Sequence, residues 1–193
     1  MTVALNHADL LFAEGYVLAA GCRMSEARPK FHECAEIRRC VLGRQVPTAR
    51  ALFMESRQIS SWSDDKERAW EEREALLIEA RSIVEEQVEY DVTELAMIID
   101  ELGLLYSEHH KNEAHRAEAK ALRALARSMV PHSEPGDTMV QNRKRFETES
   151  LTAAIALLTK DGSSVSVEIT QALICQREWW NLGSEDVIPG RFV

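Results

Sequence analysis

One pattern constrains the first 129 residues more than any other. Helical periodicity, a polar turn and a second helical stretch recur three times. The turns align as AEGYVLAAGCRMSEARPKFHECAEI, ESRQISSWSDDKERAWEEREALLIEA and DELGLLYSEHHKNEAHRAEAKALRAL. The first and third carry a glycine inside the first helix, Gly15 and Gly103. Both open the second helix with a Glu-Ala pair, Glu26-Ala27 and Glu113-Ala114, and Ala69 takes that place in the second unit. Ala27 and Ala69 are 42 residues apart, and Ala69 and Ala114 are 45 apart. A helix–turn–helix unit cannot bury its apolar face alone, so a near-constant period of such units predicts an array of stacked pairs.

Local signals set the expected boundaries. Leu11, Phe12, Gly15, Tyr16 and Leu18 fall at spacings of three and four and predict a helix over 9–20. Ser25 offers an N-cap for a helix that ends at Gly43, with Pro29 in or just past its first turn. Pro47 opens a third helix, which breaks at the polar run 60–65, and further helices are expected over 66–88, 92–107 and 112–129. The stretch VPHSEPGD (130–137) reads as a linker loop. Beyond it, 138–181 reads as a divergent fourth pair with a turn at Asp161-Gly162, and 182–193 as an irregular tail. Val165, Val167 and Ile169 alternate like a strand, but over too short a run to outweigh the helical reading. The expected fold class is all-α, with eight helices in four antiparallel pairs.

The residues at the turns resemble the tetratricopeptide repeat. Leu102-Gly103, Tyr106, Ala114 and Ala121 stand where that family has Leu-Gly, a tyrosine and two alanines, and the first unit matches at Gly15, Ala27 and Phe31. The long connection AEIRRCVLGRQVPTAR resembles the linkers in the repeats of kinesin light chains. The resemblance implies a right-handed α-solenoid: three repeats over 1–129, then a capping pair. It also implies a concave groove lined by the first helix of each pair. Carried onto this chain, the groove positions are Asp9, Phe12 and Tyr16; Met54, Gln58 and Trp62, beside Glu55; and Asp100 and Leu104, beside Glu101. This lining is apolar and acidic. It implies a partner protein or peptide with apolar or aromatic anchors beside Lys or Arg. The implied function is non-enzymatic protein binding, as an adaptor, a scaffold or a subunit of a larger assembly. A chaperone for a secreted partner is the alternative within binding. A helical enzyme-regulating or metal-dependent hydrolytic domain is the alternative from another class. Another subunit or the chain's own tail, with Phe192 as a plug, would be a rival occupant of the groove.

A glycine inside a helix costs about 1 kcal/mol relative to alanine. Gly103 is therefore expected at a close helix crossing, against Ala114 and Ala121 on the following helix.

Charge and composition narrow the class. The net charge of −9 argues against nucleic acid and anionic membrane as partners. No apolar run approaches the roughly 18 residues of a membrane span, and no secretory signal is recognisable. Cys22, Cys34, Cys40 and Cys175 form no C-x-x-C pair, so free thiols in a cytoplasmic setting are expected. His109, His110 and His115 crowd one turn, but no two of them share helical metal-ligand spacing, so they read as solvated turn residues. No nucleophile elbow or glycine-rich phosphate loop is present, and neither catalysis nor a metal or cofactor is expected.

The charge is uneven along the chain. Residues 22–50 hold seven basic and three acidic side chains, and 64–94 hold four basic and twelve acidic. The basic stretch, with Arg28, Lys30, Arg38, Arg39 and Arg44, is a second candidate docking edge. Copies stacked head to tail are a further expectation from this asymmetry. Trp179 and Trp180, with Arg177, are expected to cap the core or anchor an interface.

Overall fold

The computed structural model describes residues 2–59, 65–89, 92–108, 113–129, 139–161 and Ala172. Among them are seven helices and no strand: α1 (Thr2–Ala20), α2 (Met24–Leu42), α3 (Val46–Arg57), α4 (Lys66–Glu85), α5 (Val92–Glu108), α6 (Glu113–Met129) and α7 (Met139–Asp161). The chain is all-α over this extent. Trp62, Gly162, the 165–169 alternation, Arg177, Trp179, Trp180 and Phe192 lie outside the described residues, as does all but Ala172 of the expected eighth helix.

The breakers fall where their chemistry requires. Pro47 sits in the first turn of α3, where its missing N–H costs no helical bond. Gly43 caps α2 at φ 69°, and its carbonyl accepts a hydrogen bond from Thr48 Oγ1 at 3.0 Å. Asp65 caps α4 by accepting from the Arg68 N–H at 3.1 Å. Ser25 is not the cap of α2. That helix starts two residues earlier, at Met24 after Arg23, whose guanidinium grips Glu26 at 2.6–2.7 Å. Cys22, at φ 60°, reverses the chain, and the Arg23 N–H closes back on the Leu18 carbonyl at 2.9 Å. The reversal puts Ser25 inside the first turn.

Helices pack in chain order, α1 on α2 and so on through α5 on α6, and α7 packs along α1. The helix expected to begin a capping pair beyond the third unit thus lies against the first helix of the chain. Leu151, Ala154 and Leu158, on one face of α7, join the same core as Leu11, Val17, Phe31, Phe53 and Ile98, and so does Ala172.

The second and third units bury their first helices on every side. Residues 51–56 of α3 and 94–103 of α5 are unbroken runs of buried positions. Successive residues turn by about 100°, so such runs leave no face open.

Gly103 stands at a close crossing of α5 and α6. A Cβ there would lie 2.6 Å from Arg123 Cγ, 3.1 Å from the Ala119 carbonyl oxygen and 3.3 Å from the Arg123 nitrogen. The partner surface is Ala119 and Arg123, not Ala121. Ala121 is exposed, two residues and about 200° around the helix from Ala119, and the side chain of Ala114 lies outside the described residues. Gly15 makes the matching approach to α2, where a Cβ would sit 3.1 Å from the Phe31 ring.

Candidate functional site

The residues expected to line a groove are largely interior. Tyr16, Met54, Gln58 and Asp100 are buried, Phe12 and Leu104 are half-buried, and Asp9 is exposed. The chain's own residues do the covering. Phe12 packs edge-on against Phe31 at 5.4 Å, and the Arg38 guanidinium lies 4.9 Å over its ring. Arg38 also reaches Asp9 Oδ1 at 2.8 Å and the Pro47 carbonyl at 2.9 Å. One expected groove residue and one expected docking-edge residue are therefore bonded to each other. The Gln58 amide folds back to the Met54 carbonyl at 3.1 Å. Asp100 faces Arg123 of α6 at 3.5 Å.

The basic stretch is matched within the chain. Arg28 pairs with Glu72, Arg39 with Glu79 at 3.0–3.1 Å, and Arg44 with Glu86 at 2.8–2.9 Å, all on or just beyond α4. Lys30 meets Glu14 of α1 at 2.7 Å. Arg50 of α3 grips Glu94 of α5 with two bonds at 2.8 and 3.0 Å. Partners in the Arg28, Arg39, Arg44 and Arg50 pairs lie 40 to 44 residues apart, close to the 42- and 45-residue spacings of Ala27, Ala69 and Ala114. Arg73 of α4 then reaches Glu101 and Glu108 of α5 at 3.3 and 3.2 Å. The cation comes from the earlier unit and the carboxylate from the next, so these pairs work as directional joints. The acidic partners escaped the sequence reading, although a search for opposite charges one period apart would have found them.

Two environments perturb ionisable groups within this frame. Glu55 of α3 is buried, which pushes its carboxyl above the usual range, and a hydrogen bond to His32 Nδ1 at 2.9 Å pulls the other way. Burial pushes the Cys34 thiol up to about 11, so it is a packed, protonated group. Cys22 and Cys40 are exposed, and Cys175 lies outside the described residues.

The histidines separate. His109 and His110 lie outside the described residues. His115 is no solvated turn residue. It belongs to α6 and stacks on Trp70 at 5.9 Å and on Tyr106 at 5.5 Å, where α4 meets the third pair. The Tyr106 hydroxyl donates to Glu74 at 2.7 Å, and burial first, then that carboxylate, raises its pKa. Among the described residues no group of three or more His, Cys, Asp or Glu side chains is placed to hold a metal ion. None of the described helices is long and apolar enough to cross a membrane. Comparison of the chain with protein-family models, curated proteins and solved structures found no match.

Proposed function

We propose that this chain is a non-enzymatic protein-interaction scaffold of tetratricopeptide-like helix pairs, acting as an adaptor or as a subunit of a larger assembly in the cytoplasm. One observation carries this reading. Each of the six buried charged side chains among the described residues pairs with an opposite charge, or with His32, on a neighbouring helix. They are Arg38, Glu55, Arg73, Glu94, Asp100 and Glu101. A catalytic carboxylate must face substrate. These groups hold adjacent helices in register, as a repeat scaffold requires. The burial of Met54, Gln58 and Asp100 leaves little of the implied groove to grip a peptide in the free chain, so the reading rests on the outer surface of the array.

The test is to tag the chain at its native level and pass the extract over a sizing column, with mass spectrometry of the fractions. A scaffold elutes with a stoichiometric protein partner, well above its own 21.9 kDa. Elution at the size of the bare chain, with no such partner in its fractions, would overturn the reading.

A further inference from the structure

The joint between successive pairs has a face that receives the next pair, and among the described residues no helix packs on that face of α6. Gly15 and Gly103 are 88 residues apart, and so are the residues they pack on, Phe31 and Ala119. This register lays α2 on α6. Arg28, His32 and Arg39 hold Glu72, Glu55 and Glu79 of the following pair. Their equivalents 88 residues on are Arg116, Lys120 and Arg127. These three are exposed and make no hydrogen bond or ion pair with any described residue. They recur at i, i+4 and i+11, which puts them on one flank of the helix.

The outward face beside that flank differs between the two helices. In α2 it carries Glu33 and Glu36, as solvent demands. At the same positions α6 has Ala121 and Ala124, both exposed. Small side chains beside a row of cations let a second helix approach closely while its carboxylates reach the row.

We propose that this flank of α6 is a docking surface for an acidic helix of another protein, one whose glutamates recur at seven-residue spacing. The proposal deepens the protein-binding reading and rests on it. The complementary charge is already drawn inside the chain, where Glu72, Glu79 and Glu86 recur at that spacing and the first two meet Arg28 and Arg39, the equivalents of Arg116 and Arg127. That acidic row is spent on α2, so it is not free to serve a second copy. The opposite end of the array is closed, because α7 packs along α1.

The test uses the full chain and a stapled helical peptide of residues 66–87, which carries the three glutamates. Fluorescence anisotropy should show the peptide binding the wild type. Arg116→Glu with Lys120→Glu and Arg127→Glu should weaken binding at least tenfold while the circular dichroism spectrum is unchanged. A peptide with Glu72→Lys, Glu79→Lys and Glu86→Lys should bind that variant and not the wild type. The proposal is overturned if the wild type does not bind the peptide, or if the triple variant binds it equally well. Equal binding of an unstapled, scrambled peptide of the same composition would overturn it in favour of general anion attraction. A wild-type dimer in sedimentation equilibrium that the triple substitution abolishes would give the face to a second copy instead. Native partners retained by the triple variant would leave the scaffold reading standing and remove α6 as its site.

Discussion

Replacing Gly103 with alanine sets helix propensity against packing. Alanine should gain about 1 kcal/mol over glycine inside a helix. Its Cβ, however, would stand 2.6 Å from Arg123 Cγ and 3.1 Å from the Ala119 carbonyl oxygen. The arginine stem can rotate, at the expense of its 3.5 Å approach to Asp100, which is buried. The carbonyl belongs to the backbone of α6 and yields only if the two helices part. Overpacking of this kind costs about 1–3 kcal/mol, so Gly103→Ala should lose roughly 1 kcal/mol net. For a chain of this size that is a fall in Tm of about 2–4 °C. Gly103→Leu should lose more. Gly15→Ala is the control. There the nearest atoms are the edge of the Phe31 ring at 3.1 Å and, a little farther, Lys30 Cβ at 3.2 Å, with no contact as short as the 2.6 Å at Gly103. A ring edge can move by a few tenths of an ångström, so the two terms should nearly cancel. Thermal melts by circular dichroism, with urea titrations for the free energies, decide the matter. A Gly103→Ala variant that melts above wild type would refute the close crossing.

Three further outcomes follow from the same contacts. Arg50→Ala strands Glu94, which is 1% exposed, and should cost about 3 kcal/mol, whereas Arg50→Met with Glu94→Leu should recover most of it in urea titrations; equal losses for the two would contradict the joint. Glu55 has a folded pKa above its unfolded one, so its contribution to stability is fully present below the unfolded value and is lost as pH rises through the folded value. Glu55→Gln should therefore gain on wild type as pH rises from the ordinary Glu value of about 4.3 through the raised folded one, and urea melts showing a constant difference would count against it. In a chain with Cys22→Ser, Cys40→Ser and Cys175→Ser, the remaining buried Cys34 should resist thiol labelling at neutral pH until denaturant is added; immediate labelling would contradict its burial.

The periodicities legible in the sequence were those set by local chemistry. Pro47, Gly43 and the spacing of Leu11, Gly15 and Leu18 act within a few residues, and the helices they imply are present. Gly103 was read as a crossing because an interior glycine needs an offsetting contact. Ala121 is not its partner: the family pattern points to that alanine, while the structure packs Ala119 and Arg123 there. The groove and the docking edge were less legible because they depend on what else touches each position. Arg28, Arg39 and Arg44 look like a basic patch until Glu72, Glu79 and Glu86 are laid one period away. Nothing local to α7 announces that it packs along α1, since Leu151, Ala154 and Leu158 would suit any apolar face.

Hydrogen exchange of the chain, free and in its isolated native complex, tests the account most directly. With α3 and α5 already covered on all sides and the flank of α6 open, the account predicts new protection over residues 116–128 of α6 and little change in α3, α5 or α7. Protection gained on the outward faces of α1 and α3, with α7 exchanging faster as it is displaced, would contradict it and return the binding site to the groove.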